Sequence, residues 1–152
     1  MTGISVDEFL LFCDRTIDGF AETAARLDDQ AVNQPPFTGA SSAAQLTVHA
    51  LAAATYWCEH EVTGRPTSRE RDSEFTATAT VAELQQRCTE TKAALRALAP
   101  ELESATEVQG PSRTQKPLGQ PWTVGACLIH AYEELAQHLG HVEMTADMLL
   151  RS

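Results

Sequence analysis

The sequence predicts an all-α protein built as a four-helix bundle. Apolar residues recur at three- and four-residue spacing in four segments, and no convincing stretch alternates apolar with polar residues as a half-buried strand would. Proline, glycine and capping residues punctuate those segments, leaving short and long crossovers between them. With 152 residues, 43% of them hydrophobic, the chain fits one domain over residues 1–152. A chain of that size buries about 70% of its unfolded surface.

The first helix opens at Ser5, with Glu8 three residues later at capping-box spacing. Phe9, Phe12, Cys13, Thr16, Ile17, Phe20 and Ala24 follow along one face. "NQPPFTG" ends the segment, because Pro35 lacks an amide donor and restricts the residue before it. The second helix runs from about Ser42 to Thr63, with Leu46, His49, Ala50, Ala53, Trp57 and His60 along one side, and stops at Gly64 and Pro66. "GRPTSRERDSEF" then reads as a charged loop. Thr80 and Glu83 form a further capping box for a third helix, which reaches about Leu98 and is closed by Pro100. The loop "PELESATEVQGPSRTQKPLGQP" follows, and loops of that length in a compact domain often lie over a functional site. Thr123 caps the last helix, from Val124 to about Leu150.

The formal charge is -10 and the isoelectric point about 4.8. Such a surface repels phosphate backbones, so nucleic acid is not an expected partner. "MTGISVDEF" has no basic flank leading into an apolar run, and the longest apolar stretches are broken by His49, Thr55 and Glu59. These features predict a cytoplasmic protein without a membrane span. Cys13, Cys58, Cys88 and Cys127 are scattered without a C-x-x-C pair and are read as reduced, mostly as small buried hydrophobes.

Three of the five histidines lie in "HAYEELAQHLGH", residues 130–141. Residues four apart on a helix are about 6 Å apart along the axis, so His130, Glu134 and His138 form one row with His141 a turn beyond. His130 and His138 are separated by about 12 Å of rise, too far to share an ion. The pairs that could share one are His130 with Glu134, Glu134 with His138, and His138 with His141. A third ligand must come from another helix. His49 lies on an apolar face, where its ring nitrogens need partners, whereas His60 between Glu59 and Glu61 reads as a solvated end. The competing reading is a histidine-rich helix face in solvent. Two histidines and a carboxylate with an open position would suit zinc, nickel or iron(II).

The stretches "LTVHALAAATYWCEHEVTGRPTSRERDSEF" and "LIHAYEELAQHLGHVEMTADMLL" resemble the DinB-like superfamily, and within it the mycothiol transferase branch of actinobacteria. The resemblance implies an up-down-down-up four-helix bundle holding a divalent metal with one histidine from the second helix and two ligands from the fourth. In the common pattern the fourth helix reads His-x-x-x-His, the second histidine preceding x-Gly-Gln. Here that histidine falls at His138, before Leu139, Gly140 and His141, and Glu134 stands where the first would be. The implied metal ligands are therefore His49, Glu134 and His138. His130 and His141 are neighbours whose roles stay open, and Tyr56 and Trp57 are read as core packing.

The resemblance further implies a metal-dependent thiol S-transferase. Zinc, or alternatively nickel or iron, would activate a low-molecular-weight thiol such as mycothiol towards a small electrophile, in detoxification or biosynthesis. Arg65, Arg69, Arg71 and Arg113 lie on loops near the expected bundle mouth, and the first three are the candidates for binding the thiol cosubstrate. The alternative is solvated charges paired with Glu70, Asp72 and Glu74. Two rival functions are a metal-dependent hydrolase or cyclase on the same bundle and a non-catalytic bundle that binds a small molecule. A homodimer is a possible assembly for a bundle of this kind.

Overall fold

Capping residues start the helices where the sequence places them. In the computed structural model, which describes residues 3–116 and 119–151, α1 spans Val6–Ala24 and α4 spans Val81–Ala97. Ser5 and Thr80 each accept a hydrogen bond from the backbone of the glutamate three residues on, and that glutamate reaches back to the cap amide. Helix α2, Ala43–Thr55, opens on the same device between Ser42 and Gln45. The last helix, α6, runs from Val124 to Arg151, with the Thr123 hydroxyl accepting from the Ala126 amide at 3.1 Å. Each cap satisfies amides that the helix leaves without an internal partner.

All regular structure among the described residues is helical. Helices α1, α2, α4 and α6 pack against one another in the pairs α2–α6, α1–α6, α1–α4 and α2–α4. Their facing stripes bury Leu10, Ile17 and Phe20 of α1, Leu84 and Leu95 of α4, and Leu135 and Val142 of α6 in one core. None of the described helices is long and apolar enough to cross a membrane. The four cysteines are free and buried in the helices. Burial pushes the Cys13 thiol up to about 12 and the Cys88 and Cys127 thiols up to about 11, which leaves them protonated at neutral pH.

Three departures from the sequence expectation bear on the site. Helix α2 does not continue as a regular α-helix to Thr63; its last part, Tyr56–Val62, widens into a π-helix that ends at Gly64 with φ +75°. The wider turn breaks the three-turn register that would align His60 with His49. The segment expected as a charged loop folds back, and within it Arg71–Glu74 forms a single-turn helix, α3. Pro100 begins a short helix rather than a loop: α5 spans Ala99–Ser104, with the proline in its first turn, where the missing amide costs no bond. The rest of the long loop contains a 3-10 turn at Pro111–Thr114, and its residues 117–118 lie outside the described part.

Candidate metal centre

Helix α2 delivers His49 and helix α6 delivers Glu134 and His138 to the same point in the bundle. His49 Nε2 lies 3.4 Å from Glu134 Oε2, and His138 Nε2 lies 3.3 Å from the same oxygen. One ligand atom from each of the three residues falls within 4.8 Å of the other two. His49 is buried, while the Glu134 and His138 side chains are 22% and 16% exposed, so the cluster sits just inside the surface.

The protonation state of the cluster follows from its surroundings. Glu74 Oε2 lies 2.7 Å from His49 Nδ1, and the same carboxylate accepts from Arg69 Nε at 2.6 Å and Nη2 at 3.0 Å. Burial alone would raise the Glu74 pKa, but the hydrogen bonds from Arg69 and His49 outweigh it and hold the carboxyl below its ordinary value. An ionised carboxylate only accepts, so His49 Nδ1 carries the proton and, in the neutral ring, Nε2 carries a lone pair. Glu134 is held far below the carboxylate range, first by its hydrogen bond with His138 and then by that with His49. His49 is shifted up, chiefly by Glu134, with burial opposing and Glu74 adding to the rise. Two imidazole nitrogens and a carboxylate oxygen therefore converge: ring protons donate to Glu134, and with those protons displaced the lone pairs would face a shared cation.

A metal ion fits this donor set. Ligand atoms about 2.1 Å from a tetrahedral ion lie about 3.4 Å from one another, close to the two separations observed. Two imidazoles and a carboxylate leave a fourth position, as catalytic zinc sites do, and suit nickel or iron(II) as well. Beside the cluster opens a cleft of about 400 Å³, lined by His49, Ala53, Tyr56, Trp57, Arg69, Arg71, His130 and Glu134.

The other histidines stay outside the converging set. His130 Nδ1 lies 2.7 Å from Glu133 Oε2 and its Nε2 is 3.5 Å from Glu134 Oε1, while its ring stands edge-on to Trp57 at 4.6 Å. His141 is exposed, its ring 5.6 Å from that of His138. His60 donates from Nδ1 to the Arg65 carbonyl at 2.6 Å and packs on Tyr56. The three arginines also separate: Arg65 pairs with Glu59 and Glu101 outside the cleft, Arg69 is taken up by Glu74, and Arg71 lies over the Phe75 ring at 5.3 Å with no ion pair among the described residues.

Two acidic residues that the sequence pattern had presented as surface charges are buried. Glu74 sits on His49 as described. Glu61, beside His60 in the expected solvated end, is 3% exposed; it accepts from the Tyr56 hydroxyl at 2.9 Å and from both the amide, at 2.9 Å, and the hydroxyl of Ser112. The π-helical widening turns this position inward. Neither position carried a local signal: Glu74 lies in a run of mixed charges and Glu61 beside an apparently solvated histidine.

Comparisons with known proteins agree with this architecture. No curated protein matches the chain. Among solved structures, the conserved protein of a locus from Enterococcus faecalis superposes with a TM-score of 0.73 over 99% of this chain and 100% of its own, at 15% identity, a likeness in fold. The DinB superfamily model matches residues 13–142, a span that includes His49, Glu134 and His138. The three converging side chains thus lie within a family match covering most of the sequence, and the chain belongs to the DinB superfamily.

Proposed function

We propose that the protein is a metal-dependent thiol S-transferase that joins a low-molecular-weight thiol, mycothiol or a close analogue, to a small electrophile or isomerises the electrophile through such an adduct. The observation that carries this reading is the convergence of His49, Glu134 and His138 at the edge of a cleft of about 400 Å³, with one side of the site open. Membership of a superfamily whose members often bind metal supports it. We read the fold as the up-down-down-up arrangement, the ion as divalent and most simply zinc, the location as cytoplasmic and the assembly as a homodimer.

A divalent ion bound here would lower the pKa of a thiol at the open position, so that sulfur is a nucleophile at neutral pH. The protein's residues supply the rest. Trp57 and Tyr56 give the cleft an apolar wall that limits water, and Arg71 at its rim, which has no ion pair among the described residues, offers its guanidinium fork to a polar group of the thiol or the electrophile. The thiol gives up its proton to solvent, and sulfur adds to the electrophilic carbon while the leaving group departs with its electron pair. With an activated alkene, the adjacent carbon takes a proton from solvent; in an isomerisation the C–S bond then breaks and the thiol is released as the isomeric double bond forms. The buried, protonated cysteines of the chain take no part.

Zinc-loaded protein tested against a panel of electrophiles is expected to turn over the electrophile only when a low-molecular-weight thiol is present, with the thiol consumed in a conjugation and recovered in an isomerisation. Glu134→Gln is expected to abolish this turnover while keeping the helical circular dichroism signal. Equal turnover of a substrate without thiol would replace this reading with a hydrolase or cyclase, and no turnover in a metal-loaded protein that still binds a thiol or another small molecule would favour a binding module.

A further inference from the structure

His49 is fixed from two directions by consecutive residues of one short segment. Glu74, the last residue of α3, meets Nδ1 at 2.7 Å, and Phe75 stacks on the ring with centroids 4.8 Å apart. Glu74 is in turn held by the two-pronged contact from Arg69, whose guanidinium lies 5.3 Å from the centre of the Tyr56 ring. His49 and Glu74 are buried and Arg69 nearly so, with side-chain exposures of 6%, 5% and 15%. Among the described residues nothing comparable holds the other imidazole: His138 Nδ1 is buried and has no hydrogen-bond partner there.

We infer that Glu74, clamped by Arg69, is a positioning residue that fixes the tautomer and orientation of His49, so that its Nε2 lone pair faces Glu134 and His138. The inference rests on the metal-site reading above for its consequence, but its structural core stands without a metal. An imidazole whose Nδ1–H is bound to an ionised carboxylate cannot present the opposite tautomer without leaving that carboxylate buried against a lone pair. Ring rotation is blocked for the same reason and by Phe75. A carboxylate behind a ligating histidine also makes its free nitrogen more basic, and losing such a partner generally lowers metal affinity. The charged stretch from Arg69 to Glu74 thereby belongs to the site, with Arg69 acting on Glu74 rather than on a substrate.

Two measurements test this in the full-length chain. The first is zinc affinity by competition with a chelator. Glu74→Gln and Glu74→Ala are expected to weaken binding by about 10- to 100-fold, with Glu74→Asp recovering part of the loss. Arg69→Met is expected to fall between wild type and Glu74→Ala. Wild-type affinity in both Glu74→Gln and Glu74→Ala would overturn the inference. The second uses wild-type protein and does not depend on any variant folding: nitrogen-15 NMR of the His49 ring in metal-free protein, recorded on the alkaline side of the ring's own observed titration. A proton on Nδ1 is expected, and a proton on Nε2 would overturn the inference. Absence of zinc binding in wild type, with Nδ1 still protonated, would sink the metal reading and leave the positioning role of Glu74 in place.

Discussion

Glu61 and Glu134 both turn a carboxylate inward from a helix, and their surroundings are opposite. Around Glu61 everything donates: the Tyr56 hydroxyl and the amide and hydroxyl of Ser112 fill its oxygens, and Gly110 passes so near that a Cβ there would lie 2.5 Å from Oε2. Around Glu134 stand the nitrogens of His49 and His138, and a cleft opens beside them. The first carboxylate is satisfied by the chain itself and clips the long loop to the end of α2. The second faces two imidazole nitrogens that either donate a proton to it or, with the proton displaced, would share a cation with it. Burial of an acidic group is thus poor evidence of a site; the character of its neighbours separates a structural clip from a place for a ligand.

The largest effect that could break this comparison is on stability. Glu61→Leu leaves the Ser112 amide and hydroxyl and the Tyr56 hydroxyl without their shared acceptor. Each stranded buried group costs about 1–3 kcal/mol, so chemical denaturation should show a loss of about 3 kcal/mol or more. Zinc stoichiometry should be unchanged where the variant is folded. A variant of full stability that loses its metal would reverse the roles assigned to the two carboxylates.

A smaller effect concerns pH. His49 is shifted above its ordinary 6.5, so its contribution to the stability of the metal-free fold is complete below 6.5 and is lost as pH rises through the shifted value. Glu134 and Glu74 are shifted below their ordinary 4.5, so their contributions are present above 4.5 and are lost as pH falls through the shifted values. For these three groups together, metal-free stability is greatest between pH 4.5 and 6.5. Zinc displaces the proton from the cluster, so the rise in melting temperature on adding zinc should be larger at about pH 8 than at about pH 5.5. A scan of melting temperature against pH with and without zinc checks both; a zinc effect that shrinks as pH rises would contradict the shared cluster.

The smallest effect is kinetic. The four thiols are buried and shifted up, so a thiol reagent at neutral pH should label native protein far more slowly than denatured protein. Fast labelling of any of the four in the native state would reopen a role for the chain's own cysteines.

These contrasts also divide what the sequence discloses from what it hides. Ser5, Thr80 and Thr123 announce their helices because capping is a local matter of three or four residues. His49 stands out because an imidazole on an apolar face needs partners, and the rows on α6 follow from helical spacing alone. Choosing among the rows, however, required knowing which part of α6 faces His49, a property of packing. Glu61 was concealed by a π-helical turn that the spacing of apolar residues does not reveal, and Glu74 by lying within a run of alternating charges that resembles a solvated loop. Pro100 looked like an end because proline closes helices, yet it begins them equally well in the first turn.

The central claim is that His49, Glu134 and His138 form a metal centre. Its most direct test is elemental mass spectrometry on protein purified without chelator, beside His138→Ala. About one divalent ion per chain is expected in the wild type, lost in the variant, because the other α6 histidines are not part of the converging set. Near-zero metal in both, or equal metal in both, would contradict it.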